Sequence, residues 1–211
     1  MKKVQVFLLN GILLTVTSLL MRTIGLSFNV YISNKIGTEA VGIYQLIMSV
    51  YSFAITLACS GINLAATRIV SEQLAYGFET GIKKAMKKCL LYSLCLGLVS
   101  CFLLFVFSPV ICSYWLHGKI STLPLQILSF SLPFLAMSSA MNGYFSALRN
   151  VKKSVFSQML EQFLQMYLVS CFLNFFMPEG LDSACLALVL GSTLSEVASF
   201  LCLFMLYLHD K

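Results

Sequence analysis

Charged residues fall in short clusters along this chain, and the stretches between the clusters are long and apolar. Six such stretches can be drawn, at residues 4–33, 40–67, 89–116, 120–148, 154–177 and 183–208. A helix needs about 20 apolar residues to cross the hydrocarbon core of a bilayer. Because lipid offers no hydrogen-bond partners, a segment that crosses it must satisfy its own backbone groups, as a helix does. The pattern predicts an all-α membrane protein with six transmembrane helices.

The composition agrees with this pattern. Hydrophobic residues make up 59% of the 211 residues, charged residues only 10%, and the mean hydropathy is +0.89, whereas soluble domains have about 25% charged residues. The first apolar stretch follows Lys2 and Lys3, as a secretory signal would. It is too long for a signal peptide and no small-residue cleavage site follows it, so we interpret it as a retained first helix.

Basic residues predict the orientation in the membrane. With a cytoplasmic N-terminus, the inner segments hold eleven of them and the outer loops hold two. The inner set is Lys2, Lys3, Arg68, Lys83, Lys84, Lys87, Lys88, Arg149, Lys152, Lys153 and Lys211, and the outer set is Lys35 and Lys119. Cytoplasmic loops carry the excess of lysine and arginine in membrane proteins. We therefore expect a multi-pass membrane protein with both termini in the cytoplasm.

The segment RIVSEQLAYGFETGIKKAMKK (68–88) connects the second and third apolar stretches. Lys83 and Lys87 are four residues apart, as are Lys84 and Lys88, so the lysines share one face of a helix. This arrangement fits a helix that lies on the anionic lipids of the inner leaflet. It fits equally an orientation signal at the start of the third transmembrane helix.

Residues for enzymatic chemistry are scarce. The two histidines are His117 and His209, and no cluster of acids, glycine-rich phosphate loop or nucleotide motif is present. The eight cysteines show neither a C-x-x-C pattern nor zinc spacing, which favours a packing role. Nucleic-acid binding requires basic residues on an exposed polar face. We therefore expect no enzyme, no cofactor, no metal site and no nucleic-acid partner.

Three ionisable residues interrupt the apolar stretches: Arg22, Glu161 and Glu196. Each costs a few kcal/mol to insert at mid-membrane, so such residues usually have a function or a partner. Arg22 lies 12 residues before Asn34, and Glu196 lies 13 residues into the sixth stretch, which corresponds to depths of about 18 Å and 20 Å. An Arg22–Glu196 pair is expected from these depths, with Glu161 as the next candidate. The pair would either only hold helices together or belong to a polar cavity on a transport pathway.

Several motifs resemble a known family. They are IGLSFNVYISNKIGTEAVGIYQL (24–46), GINLAATRIVSE (61–72), MNGYFSALRNVKKSVFSQMLEQ (141–162) and LSEVASFLCLF (194–204). Together they resemble the amino-terminal half of the stage V sporulation protein B group. That group belongs to the polysaccharide-flippase branch of the multidrug/oligosaccharidyl-lipid/polysaccharide exporter superfamily.

The resemblance implies a fold and a substrate. The fold would be two six-helix lobes around a cavity that opens alternately to each side of the membrane. The substrate would be a polyprenyl-diphosphate-linked saccharide, which in the sporulation group serves cortex peptidoglycan. In related lipid II flippases an arginine of the first helix faces the cavity, and Arg22 matches it. Their second arginine falls where this chain has Phe28 or Asn29, so Asn29 joins Arg22, Glu161 and Glu196 as an expected substrate-binding residue.

Only one lobe is expected over residues 1–211, so the partners would be lipid-linked saccharide, membrane lipids, and a second lobe or a second copy of the chain. Two alternatives to a flippase remain open. A cation or drug antiporter of the same superfamily commonly uses an acid in the first helix, where this chain has Arg22. A truncated membrane protein that does not transport is the other alternative.

Overall fold

The computed structural model describes residues 2–77, 79–114, 121–176 and 181–209, and these fold almost entirely into helices. In chain order the helices are α1 (Lys2–Ile36), α2 (Thr38–Cys59), α3 (Ile62–Ala75), α4 (Glu79–Tyr114), α5 (Leu123–Ala147), α6 (Val151–Phe176) and α7 (Leu181–His209). Within these ranges the protein is an all-α membrane protein, as its pattern of apolar stretches predicts.

The second apolar stretch is divided into two helices. The apolar segment Thr38–Ala75 contains α2 and α3, with a break at Ser60 and Gly61. Gly61 adopts a left-handed backbone conformation with φ 72°, which costs a glycine little because it has no Cβ. The sequence stretch 40–67 therefore corresponds to α2 together with the first part of α3.

The lysine-rich segment 68–88 does not form a separate surface helix. Its first part continues α3 to Ala75, its last part begins α4 at Glu79, and Gly77 at φ 72° lies in the turn between them. The four lysines thus belong to the first turns of a 36-residue helix, which is the second of the two arrangements that their spacing allows.

Four segments of the described residues are long and apolar enough to cross a membrane: Thr38–Ala75, Gly81–Tyr114, Leu123–Ala147 and Ser183–His209. The helices outside this set, α1 and α6, have 35 and 26 residues, which is ample length for a bilayer. Arg22 lies on α1 and Glu161 lies on α6.

Helix α5 lies at the centre of the lobe. It packs against α2, α3, α4 and α7, and α6 packs mainly on α7. Leu128, Leu132, Ala136 and Ala140 on α5 are fully buried in the main apolar core. Helix α1 is peripheral, because its main contacts are with α2 and α6.

A smaller cluster anchors the C-terminal end of α1. Ile32 of α1 is buried with Val41 of α2, Leu173 of α6 and Leu188 of α7. Lys35 also donates a hydrogen bond to the side-chain oxygen of Asn174 on α6. Because α1 is held at this end, the middle of the helix can lie beside α6 without packing closely along it.

Small residues allow the closest helix contacts, as is usual in membranes. A Cβ added at Gly143 of α5 would lie 2.6 Å from the backbone oxygen of Asn63 and 2.8 Å from the Cβ of Ala66, both on α3. The backbone oxygen of Gly143 accepts a hydrogen bond from Thr67 Oγ1 at 3.1 Å. The contact between α3 and α5 therefore requires glycine at this position.

We expect Gly143→Ala to destabilise the folded lobe by about 1–2 kcal/mol, because overpacking forces the helices apart. The control is Gly42→Ala, since a Cβ at Gly42 has no neighbour within 4 Å. Thermal unfolding of both variants in mild detergent checks the prediction. Equal melting temperatures for the two variants would contradict the described contact between α3 and α5.

Candidate functional site

An open groove of about 1230 Å³ lies between α1 and α6. The α1 wall consists of Thr15, Thr17, Ser18, Leu19, Met21, Arg22, Gly25, Leu26 and Asn29, and the α6 wall of Val155, Gln158, Glu161 and Gln162. Eight polar side chains of α1 and α6 thus line one space, namely Thr15, Thr17, Ser18, Arg22, Asn29, Gln158, Glu161 and Gln162. This groove is the candidate functional site.

The α1 wall presents a cation among hydroxyl groups. Arg22 is exposed in the groove and forms no ion pair with any carboxylate of the described residues. The hydroxyl of Thr15 donates to the backbone oxygen of Gly11 at 3.0 Å. This hydroxyl group is satisfied by its own helix, so the guanidinium is the charged group that the α1 wall presents.

The α6 wall presents amides and one carboxylate. Val155, Gln158, Glu161 and Gln162 follow one another at intervals of three, three and one, so they lie on one face of the helix. The Gln162 side-chain nitrogen lies 3.6 Å from the position that a Cβ at Gly25 would occupy. The Gln162 side chain therefore reaches across from α6 to α1 at this point of the groove.

Glu161 also connects the groove to the interior of the lobe. The carboxylate of Glu161 lies close to the hydroxyl of Ser199 on α7. The hydroxyl of Ser157, one turn before Glu161, lies 3.2 Å from the hydroxyl of Ser199. Ser157 and Ser199 are both buried, so this polar contact between α6 and α7 holds Glu161 at the groove wall.

Glu196 lies in a different place, between α2, α5 and α7. The Tyr51 hydroxyl donates to Glu196 Oε2 at 2.7 Å and is also hydrogen-bonded to the Ser131 hydroxyl. Tyr51 and Ser131 have an exposed fraction of 0%, and Ser131 in turn donates to the backbone oxygen of Leu128 at 2.8 Å. We refer to Tyr51, Ser131 and Glu196 as the buried triad.

The predicted Arg22–Glu196 pair does not form. Arg22 shares its groove with Glu161, whereas Glu196 is not among the side chains that line the groove. The two residues lie at similar depths, but the depth along a helix does not determine the direction in which a side chain points. On α7 the side chain of Glu196 contacts α2 and α5, so its partner is a tyrosine rather than the arginine.

The expected substrate residues thus fall into two groups: Arg22, Asn29 and Glu161 line the groove, and Glu196 belongs to the buried triad. The sequence analysis missed Gln158 and Gln162, although the spacing of polar residues on α6 predicts them. It also missed Tyr51 and Ser131, which have no comparable signal because hydroxyl groups are common in apolar helices.

The described residues contain no group of three or more His, Cys, Asp or Glu side chains that could hold a metal ion. Six of the eight cysteines are at least partly exposed, and Cys112 and Cys185 are buried. The chemistry of the groove therefore rests on one guanidinium, one carboxylate and several amides and hydroxyls.

The fold is that of one lobe of a two-lobe membrane transporter. One similar structure is an outward-facing multidrug resistance MATE family transporter of the MOP superfamily, with a TM-score of 0.66 and 16% identity. The match covers 87% of this chain and 41% of the transporter. A MOP superfamily transporter from Pyrococcus furiosus, whose binding pocket is described as having reverse polarity, matches over the same shares at a TM-score of 0.68 and 15% identity.

The sequence comparisons define the family more narrowly. Residues 7–211 match the family described as polysaccharide biosynthesis protein, and the chain belongs to that family. Stage V sporulation protein B of Bacillus subtilis is 30% identical over 207 residues, which cover 98% of this chain and 40% of that protein. The chain thus spans about two fifths of the length of the relatives that it matches.

Proposed function

We propose that this chain is the amino-terminal lobe of a flippase that moves a polyprenyl-diphosphate-linked saccharide, a precursor of peptidoglycan or another polysaccharide, across the cytoplasmic membrane. A second lobe or a second copy of the chain would close the groove between α1 and α6. The observation that carries the proposal is the guanidinium of Arg22, which lies in an open groove and forms no ion pair within the part of the chain that the structure describes. Membership of the polysaccharide biosynthesis family supports it.

In this proposal Arg22 binds the diphosphate. A guanidinium presents a planar fork of donors that can grip two phosphate oxygens at once. The groove lies among apolar helices, and in such a low-dielectric environment a charged hydrogen bond is stronger than it is in water. The charge of the cargo would offset the cost of placing Arg22 inside the membrane.

The opposite wall would bind the saccharide. Gln158 offers amide donors and an acceptor, and Glu161 offers acceptors for sugar hydroxyls; Asn29 on the α1 wall adds a second amide. Glu161 would also balance the charge of Arg22 across the empty groove. A diphosphate that binds Arg22 would remove that balance, which gives the empty and loaded states different electrostatic energies, as a switching transporter requires.

A cation or drug antiporter is the second candidate. One feature favours it, because Glu161 is a carboxylate in the groove and could bind a cationic compound. Against it stands the permanent charge of Arg22 in the same groove, which repels cations. Binding of an organic cation by the wild-type chain, together with no binding of polyprenyl diphosphate lipid, would favour the antiporter.

The saccharide contact can be tested separately from the diphosphate contact. We expect Gln158→Leu to weaken binding of the lipid-linked saccharide by about fivefold to tenfold. The reason is that one hydrogen bond to the sugar, which contributes roughly 1 kcal/mol, is lost. Binding of the same polyprenyl diphosphate without sugar should not change. Titration in lipid nanodiscs measures both affinities.

Gln165→Leu is the control for this experiment, because Gln165 is on α6 but outside the groove lining. Equal losses for Gln158→Leu and Gln165→Leu, or an equal loss with the sugarless lipid, would contradict a saccharide contact at Gln158.

We also propose that both termini are cytoplasmic. In a background without the native cysteines, Lys119→Cys and Asp182→Cys should react with an impermeant maleimide in intact cells. Lys84→Cys and Lys152→Cys should react only after the cells are permeabilised. Labelling of Lys152→Cys in intact cells would contradict this topology.

A further inference from the structure

A second cavity of about 590 Å³ lies between α3 and α4, away from the groove described above. Its apolar part is lined by Ala65 and Ile69 of α3 and by Cys89 and Tyr92 of α4. Ala65 and Ile69 are one helical turn apart, and Tyr92 follows Cys89 by three residues, so the cavity runs along both helices. Tyr92 is 61% exposed, which leaves the cavity open at the side.

Two lysines form the other end of this cavity. Lys84 and Lys88 of α4 line it and are exposed, and neither forms an ion pair with a carboxylate of the described residues. Glu72 of α3 is nearby in sequence but is paired with Arg68, at 3.1 Å between Glu72 Oε1 and Arg68 Nε. Neither of these two residues lines the cavity.

The cavity therefore has a cationic end and an apolar end. Lys84 and Tyr92 are eight residues apart on one helix, which is about 12 Å at 1.5 Å per residue. That separation fits a molecule with an anionic head and a hydrocarbon tail. Basic pockets between transmembrane helices on the cytoplasmic side are typical sites for anionic lipid headgroups, and tyrosine is common at the membrane interface.

We propose that this cavity is a binding site for an anionic phospholipid. Lys84 and Lys88 bind the phosphate of the headgroup, and an acyl chain lies against Ile69, Cys89 and Tyr92. The site depends on the cytoplasmic position of the start of α4 but not on the proposed cargo of the groove between α1 and α6. An anionic lipid that bridges α3 and α4 would fix these two helices against each other at the inner leaflet.

The test uses the full chain in phosphatidylcholine vesicles with a single tryptophan as reporter. Trp115→Phe removes the native tryptophan, and Tyr92→Trp places a new one in the cavity. Brominated phosphatidylglycerol and brominated phosphatidylcholine are then compared as quenchers at equal mole fractions. We expect the anionic lipid to quench several times more strongly at low mole fraction, because the lysines concentrate it beside the reporter.

Two double variants distinguish a defined lipid-binding site from non-specific attraction by surface charge. Lys84→Gln with Lys88→Gln should remove most of the preference for phosphatidylglycerol, so that the two lipids quench nearly equally, since each lysine near the surface contributes to anionic lipid binding. Lys83→Gln with Lys87→Gln removes the same charge from side chains that do not line the cavity, and should retain most of the preference. Circular dichroism verifies that both double variants remain helical. If the double variant at Lys84 and Lys88 does not fold, the single variants Lys84→Gln and Lys88→Gln are measured instead.

Equal quenching by the two lipids would overturn the proposal. Equal losses in the two double variants would also overturn it, because the lysines would then act only as diffuse charge at the membrane surface. A loss confined to the Lys84 and Lys88 variants supports a discrete site.

Discussion

Replacing Arg22 by glutamine is expected to lower transport of a polyprenyl-diphosphate-linked saccharide by about a hundredfold. Two charge-assisted hydrogen bonds to the diphosphate would be lost, each worth about 1.5 kcal/mol or more, and every 1.4 kcal/mol is about a factor of ten. The substitution removes no ion pair with the described residues, so the fold should remain intact. The measurement is lipid flipping by the transporter assembled from both lobes in vesicles.

Arg22→Lys refines this prediction. Lysine keeps the charge but cannot form the bidentate contact of a guanidinium, so we expect a loss of about tenfold. Arg68→Gln is the control, because Arg68 is an exposed arginine outside the groove that pairs with Glu72, and it should transport at the wild-type rate. Wild-type transport by Arg22→Gln would remove the basis for a diphosphate site at Arg22.

The second large effect is expected at the buried triad, on stability rather than transport. Tyr51→Phe removes the donor that lies 2.7 Å from Glu196 Oε2, and Tyr51 is completely buried. The loss leaves Glu196 and Ser131 without their shared partner, and a polar group left unsatisfied in a buried place costs about 1–3 kcal/mol. We expect the free energy of unfolding to fall by about 2–3 kcal/mol, as measured by denaturant titration in detergent.

Tyr114→Phe is the matched control, because Tyr114 is 78% exposed and the loss of its hydroxyl should change stability little.

Glu196→Gln keeps an acceptor for Tyr51 and should bind lipid-linked saccharide as the wild type does. The double variant Arg22→Glu with Glu196→Arg should recover neither the stability nor the transport that the two single variants lose, since Glu196 lies beside Tyr51 and not beside Arg22. Rescue by that double variant would show that the two side chains interact after all.

The helices could be predicted from the sequence because the free energy of crossing a membrane depends on length and apolarity alone. The same rule does not place breaks within an apolar stretch, so the division at Gly61 was not predicted. A left-handed glycine is detectable only from the backbone. The course of segment 68–88 was also open, since a lysine face fits a surface helix and the start of a transmembrane helix equally well.

The candidate site could be predicted only in part. Arg22 and Glu161 are identifiable because a charge inside an apolar stretch is costly and therefore rare. Their neighbours in space depend on how each helix is rotated, and the sequence fixes depth but not rotation. For that reason Glu196 was assigned to the wrong partner, while Gln158, which shares a helical face with Glu161, was overlooked.

Native mass spectrometry of the chain purified from bacterial membranes in mild detergent tests the central claim most directly. The wild type is predicted to retain a lipid with the mass of a polyprenyl diphosphate saccharide. Arg68→Gln should retain the same lipid, and Arg22→Gln should lose it while still being folded. Retention of that lipid by Arg22→Gln to the same extent as by the wild type would contradict the assignment of the groove between α1 and α6 as the diphosphate site.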